Sequence, residues 1–376
     1  MNKITVLLAA FVALTISACA TTPKAASDPC LKRRGAIDIG SGSTKAFAAV
    51  VNVCQTPKHI VERLYDEKAK ISYGEALERS ADKTIPQEVA IDGASKAATF
   101  AEEMNATGIE TLDIVATAAF RKASNGPDVA LRISNAIADR LGKKTRLDLA
   151  KTRVQILSQD QEADLGARSA LANLPLLKSD KAADVDAAHS TVPDEVQPIV
   201  VWDIGGGSMQ MWSAPKEADG KAEIFNGDLA SVTFKNRVIK EIQKKDPTVK
   251  TSPNPLKKDV KKAIQMARAH AKANVPAFFK SNATKARWIG IGGVHGISIL
   301  KQVEKETDRE LEGAYTVKQL ATTLDKRAVR TDEEIESEFR TTEVTNLALV
   351  LGYMQELKIP RVETVEASLV QGLLTR

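Results

Sequence analysis

Two stretches of this 376-residue chain repeat one another: Ala36-Ile37-Asp38-Ile39-Gly40-Ser41-Gly42-Ser43 and Val201-Trp202-Asp203-Ile204-Gly205-Gly206-Gly207-Ser208. In each, an apolar strand delivers an aspartate and then a glycine-rich bend that ends in serine. Glycine lacks a Cβ, so backbone N–H groups in such a bend can converge on the oxygens of an anion. Ser41 and Ser43 can add hydroxyl donors. Three consecutive glycines after a buried strand cost order, so the run 205–207 needs a reason, and phosphate binding supplies one. For the first copy an ordinary hairpin turn is the alternative. The chemistry this spacing points to is the grip of a phosphorylated ligand between Gly40, Ser41, Gly42 and Ser43 on one side and Gly205, Gly206, Gly207 and Ser208 on the other.

The elements around the bends must bring them together. Each bend is followed by a second alternating strand, at 45–53 and 209–214, which makes each copy a hairpin. Between the copies the pattern predicts a helix over 88–105, a strand at 112–117, a helix at 127–141, a strand at 154–156 and a helix at 159–171. After the second copy it predicts a helix within 255–280, a strand at 288–291, a helix at 344–357 and a strand at 362–365. Alternating strands and helices imply α/β layers. The length allows about two domains of about 150 residues. The duplication then assigns residues 33–166 to a first lobe and 167–376 to a second, with both bends facing one cleft. The polar, Pro- and Asp-containing stretch at 174–198 reads as a flexible insertion in the second lobe.

The chain begins with a different signal. Lys3 precedes thirteen apolar-type residues, 4–16, too few to span a bilayer but suited to a secretory signal. Ile16-Ser17-Ala18-Cys19 resembles a bacterial lipobox, which implies a signal peptide over 1–18 and lipid attachment at Cys19. Residues 19–32 then form a linker to a membrane anchor. Ala20 after the cysteine favours the outer membrane, with the protein facing the periplasm. An exported chain sits where disulfides persist. Cys30 and Cys54 are both twelve residues from Gly42, so the first hairpin should place them together as a disulfide.

The formal net charge of +5 is mild, and the paired lysines at 257–258 and 261–262 read as a solvated helix face. Without zinc-finger spacing or an RNA-binding aromatic signature, no nucleic-acid partner is expected. The four histidines lack metal-ligand spacing. His295, after a third glycine pair, could touch a ligand or sit satisfied on the surface.

Five segments, in order, resemble the exopolyphosphatase and guanosine-pentaphosphate phosphohydrolase (Ppx/GppA) family, which belongs to the actin-like ATPase fold group. They are the two bends; Ala116-Thr117-Ala118-Ala119-Phe120-Arg121-Lys122-Ala123-Ser124-Asn125; Ile156-Leu157-Ser158-Gln159-Asp160-Gln161-Glu162-Ala163; and Ile289-Gly290-Ile291-Gly292-Gly293-Val294. The resemblance implies two actin-like (ribonuclease H-like) lobes with a phosphate-binding cleft between them. It further implies that Asp38 and Asp203 help place Mg²⁺ or Mn²⁺, that Arg121 and Asn125 belong to the phosphate site, and that Glu162 is the general base. The Arg121 guanidinium matches phosphate geometry, and a carboxylate at a cleft edge can take a proton from attacking water. The segment at 289–294 should only line the cleft.

The sequence departs from the family's pattern at several points. Gly42 stands for an asparagine, Gln161 for a glutamate, Val294 for a hydroxyl residue, Gln210 for a glutamate, and Val370-Gln371 for Arg-Glu. The implied activity is release of orthophosphate from the end of polyphosphate or another phosphorylated small molecule. The alternative is a catalytically weakened module that binds polyphosphate. The family's longer members carry further C-terminal helical domains, and monomer and homodimer both remain open.

Overall fold

The computed structural model describes residues 28–55, 58–142, 145–174, 197–214 and 220–376. The expected signal peptide, Cys19 and most of both the linker and the insertion lie outside the described residues.

Strands β1 (Leu31–Ile39), β2 (Ser43–Asn52), β3 (His59–Lys70), β4 (Thr111–Ala116) and β5 (Val154–Ile156) form a sheet ordered β3-β2-β1-β4-β5. Strands β6 (Ile199–Ile204), β7 (Met209–Ser213), β8 (Glu223–Gly227), β9 (Arg287–Ile291), β10 (Ala314–Thr316) and β11 (Arg361–Thr364) form a second, ordered β10-β11-β9-β6-β7-β8. Within it, β8-β7-β6-β9-β11 repeats the order of the first sheet. The hairpin side is antiparallel in both, and β1/β4/β5 and β6/β9/β11 are parallel in both. The duplication seen in two octapeptides therefore extends to the topology of both lobes.

The outer face of the first sheet packs Ile37 and Ile39 against the Gln87–Ala106 and Gly126–Leu141 helices, through Ala97, Met104, Ile133 and Ile137. The outer face of the second packs Trp202 and Met211 against the Val260–Asn274 and Arg340–Leu357 helices. The single helix expected within 255–280 is two, because Val275-Pro276 separates Val260–Asn274 from Ala277–Asn282. Proline has no N–H to continue the ladder. The 340–357 helix is buried almost all round, so its sequence carries little amphipathic pattern. Strand β3 lies at the sheet edge, and its charged residues interrupt Ile60, Leu64, Tyr65 and Ala69, which is why its sequence carries no regular apolar alternation.

The inner faces of the sheets share two helices. From the Gln159–Asn173 helix, Leu165 packs with Ala36, Phe47 and Val115 of the first sheet, while Ala163, Ala167 and Ala170 pack with Val201, Trp212, Ile289 and Ile291 of the second. The C-terminal helix, Leu369–Leu374, lies on the first sheet rather than with the lobe that precedes it. A Cβ at Gly372 would collide with the Leu165 carbonyl, so glycine is what lets these two helices touch. A boundary at 166/167 thus falls inside a helix, and the last residues return to the first lobe.

Cys30 and Cys54 are disulfide-bonded, with Cα atoms 5.2 Å apart. The β1/β2 register (Leu31↔Asn52, Ile39↔Thr44) centres between Ser41 and Gly42, so the residue facing Cys30 is Val53, whose N–H donates to the Cys30 carbonyl at 2.8 Å. Cys54 reaches its partner because β2 ends at Asn52. Among the described residues no helix is long and apolar enough to cross a membrane.

Candidate active site

The two bends close alike: Gly40 N–H donates to the Ser43 carbonyl and Gly205 N–H to the Ser208 carbonyl, each at 2.9 Å. They also touch. A Cβ on Gly206 would sit 3.2 Å from Ser41 Cβ, and one on Gly207 would sit 3.3 Å from Ser41 Oγ. Here glycine is demanded by the approach of one bend to the other. Beside Gly42, by contrast, a Cβ would meet nothing within 4 Å, so packing does not require that glycine. Both bends line one cavity of about 220 Å³, together with Asp38, Lys45, Thr117, Glu162, Asp203 and the Ile291–Val294 turn.

Glu162 lines this cavity, and Arg121, from a different helix, stands behind the lining beside Glu162 and bonded to Ser208. Arg121 sits in the short Ala118–Lys122 helix after β4, and Glu162 in the first turn of the Gln159–Asn173 helix after β5. A capping box between Ser158 and Gln161 fixes the start of the latter helix. Gln161 is thus spent on the cap. Arg121 Nη1 lies 2.8 Å from Glu162 Oε2. The aligned hydrogen bonds of the same guanidinium go to the Leu157 carbonyl (2.8 Å) and the Ser208 hydroxyl (3.3 Å). The ion pair is therefore close but leaves Glu162 Oε2 without an aligned donor.

Two buried carboxylates, Asp38 and Glu162, and the half-buried Asp203 share the cavity. Burial pushes Glu162 up to about 7, against the pull of Arg121 and with the push of Asp203 and Asp38. Burial likewise lifts Asp203 to about 6, opposed by Lys45 and assisted by Asp38. Asp38 is raised by burial and held back by Lys45. Asp38 Oδ1 is buried without a hydrogen-bond partner, and a Cβ at Gly292 (φ +80°) would lie 2.9 Å from Asp203 Oδ1. No group of three or more His, Cys, Asp or Glu among the described residues could hold a metal alone. Two carboxylates fit Mg²⁺ in its other common mode, where phosphate oxygens and water complete the shell.

Several placements differ from the sequence expectation. Asn125 is turned away from the cavity: its Oδ1 accepts from Ile85 N–H at 2.8 Å and its Nδ2 donates to the Ile85 carbonyl at 2.9 Å. Both ends are spent pinning a loop, so it does not reach phosphate. Val370 is buried against the first sheet, and Gln371 Oε1 accepts from Ser368 N–H and Ser169 Oγ. These two substitutions lie in the helix between the lobes, away from the cavity lining. His295 is fully buried, 2.7 Å from the Tyr315 hydroxyl, and burial pushes it down to about 3. It neither lines the cavity nor reaches the surface.

Gln210 faces Asp203 across the β6/β7 hairpin and donates to Ser208 Oγ at 3.1 Å. With Arg121 it occupies both lone pairs of that hydroxyl, which leaves the Ser208 proton free to point at an anion. Two cations were not singled out from sequence. Lys45 faces Asp38 across β1/β2, a position found by counting outward from between Ser41 and Gly42. Lys122 donates to the Gly207 carbonyl at 2.6 Å, and burial pulls it below its usual range. No local sequence signal marks it.

The protein of known structure from Aquifex aeolicus described as a Ppx/GppA family member is 15% identical, with a TM-score of 0.63 over 92% of this chain and 97% of that one. An exopolyphosphatase from Cytophaga hutchinsonii is 16% identical, with a TM-score of 0.63 over 91% and 96%. A nucleoside triphosphate hydrolase structure from Neospora caninum is 9% identical, with a TM-score of 0.51 over 89% and 88%. These likenesses establish the fold as two actin-like α/β lobes. No curated protein matches the sequence. The model of the Ppx/GppA phosphatase family matches residues 49–375, a span that begins inside β2 and contains Arg121, Glu162 and the second bend. With that span covering most of the chain, and the repeated Asp-Gly bends closing on one cavity, the chain belongs to the Ppx/GppA phosphatase family.

Proposed function

We propose that this protein is a phosphoanhydride hydrolase of the exopolyphosphatase type, releasing orthophosphate from the end of inorganic polyphosphate or a related polyphosphorylated molecule. The observation that carries this reading is the convergence of Glu162, Asp38 and Asp203 on the cavity formed by the two touching bends, with Arg121 behind its lining, paired with Glu162 and bonded to Ser208. Amide hydrogens of the bends and the Ser208 hydroxyl hold the terminal phosphoryl group. Arg121 stabilises the charge on its oxygens. Glu162 takes a proton from water as that oxygen bonds to the terminal phosphorus; the bridging P–O bond breaks, and its electron pair leaves with the shortened chain. A divalent ion held by Asp38 and Asp203 would neutralise phosphate charge that these carboxylates would otherwise repel.

The test is phosphate release from long-chain polyphosphate with Mg²⁺ or Mn²⁺. Release by the wild type and its loss in Glu162→Gln is expected; release that survives in the variant removes Glu162 as base. Gln210 favours a second reading, a binding module of weakened catalysis, because it withholds a charge beside Asp203. Tight binding of polyphosphate with no release would select that reading.

We further propose that the protein is exported and held by lipid on Cys19 at the outer membrane. The Cys30–Cys54 disulfide supports an oxidising compartment. Metabolic labelling with a fatty acid that persists in Cys19→Ser would overturn the anchor.

A further inference from the structure

A row of side chains leads out of the cavity across the first sheet. Asp38 faces Lys45 on β2, and Lys45 faces Lys68 on β3; two residues along, on the same face, Ser43 faces Lys70. Neighbouring strands are about 4.8 Å apart, so the row runs from the cavity floor to its mouth in about 10 Å. Lys45 and Lys68 are like charges directly opposite one another, an arrangement that costs stability unless an anion lies between or above them.

At the mouth one anion is already present, and it comes from the other lobe. Glu338 Oε1 lies 3.4 Å from Lys68 Nζ, and Lys70 Nζ donates to the Glu338 carbonyl at 3.4 Å. Lys68 Nζ also stands 4.7 Å from the centre of the Phe339 ring. Lys68, Lys70, Glu338 and Phe339 all border the cavity that holds Glu162. The Lys68–Glu338 pair is solvent-exposed, and such pairs contribute about 0–1 kcal/mol, little enough for a stronger anion to replace the carboxylate.

We propose that Lys68 and Lys70 form a second anion subsite, for phosphates upstream of the one cleaved, and that Glu338 is its resident stand-in. A linear polyanion long enough to pass from the bends to β3 displaces the carboxylate; a short one does not reach it. The inference rests on the hydrolase reading only for the class of ligand, and it makes that site selective for long chains.

The experiment measures equilibrium binding and phosphate release with long-chain polyphosphate and with tripolyphosphate. The wild type, Lys68→Ala with Lys70→Ala, and Glu338→Gln are compared. All three positions are exposed, and melting temperatures check that the fold is kept. The double variant should bind long chains about tenfold more weakly, the effect of two exposed charge contacts, with a much smaller change for tripolyphosphate. The salt dependence of long-chain binding should become shallower by about two counterions. Glu338→Gln should bind long chains more tightly. Equal weakening for both ligands, or no gain in Glu338→Gln, overturns the subsite. If the wild type releases no phosphate while the binding pattern holds, the hydrolytic reading fails and the subsite stands. If release occurs without any chain-length effect, the reverse is true.

Discussion

Arg121 and Glu162 face each other at 2.8 Å, yet the guanidinium spends its aligned hydrogen bonds on the Leu157 carbonyl and the Ser208 hydroxyl. The carboxylate gains a neighbouring positive charge while keeping lone pairs for water. Burial outweighs that charge and leaves Glu162 at about 7. A base must be ionised to accept a proton, so phosphate release should rise with pH through about 7 and level off above it. Glu162→Gln should abolish that limb and lower kcat by about 10²–10⁴, the usual contribution of a positioned base, while polyphosphate still binds. A steady-state pH profile of both proteins checks this.

For stability the same shifts act in the opposite direction. Glu162 and Asp203 are raised from ordinary values of 4.5 and 3.8 to about 7 and about 6, so the folded form binds these protons more tightly than the unfolded chain. Their contribution is full below the unfolded values and is lost as pH rises through the folded ones. In metal-free buffer the melting temperature should therefore fall between about pH 4 and pH 7. Glu162→Gln combined with Asp203→Asn should flatten that fall in a calorimetric series.

Lys122 belongs to the first lobe and grips the second bend through the Gly207 carbonyl. In a planar trans peptide the next N–H points the opposite way, so this bond aims the Ser208 amide. Removing it should free the peptide and lower kcat/KM by about tenfold, within the range for a hydrogen bond to a charged group. Lys122→Ala should show that loss and Lys122→Arg should recover part of it.

Gln210 tests the metal assignment. Because it faces Asp203, Gln210→Glu places a second carboxylate beside the one proposed to hold the cation. The Mg²⁺ concentration giving half-maximal activity should fall, by about tenfold for 1.4 kcal/mol of added affinity. The metal-free variant should melt lower than the wild type. An unchanged metal titration would separate Asp203 from the cation.

Much of this arrangement was legible in the residues themselves. The repeated Asp-Gly bends announced the duplication, because glycine runs after apolar strands are rare enough to mark a shared geometry. Counting outward from the first bend paired Cys30 with Cys54, off by one in register but rescued by the end of β2. Centred on Gly42 the same count sets Ala46 opposite Asp38; only the true centre, between Ser41 and Gly42, brings Lys45 there. Asn125 misled because a motif position says that a residue is needed, not whether it touches ligand or backbone. Lys122 was hidden because its partner is a carbonyl 85 residues away. The edge strand β3 was missed because one face meets solvent, and the return of the C-terminal helix is a tertiary choice that periodicity does not encode.

The contact of Gly372 with the Leu165 carbonyl has a mechanical meaning. Both inner helices lie side by side beneath the cavity, so the two lobes are joined by a double pivot rather than a single thread. The chain crosses between the lobes once in the Gln159–Asn173 helix and once before the Leu369–Leu374 helix, so breaking either crossing alone leaves the lobes tied by the other.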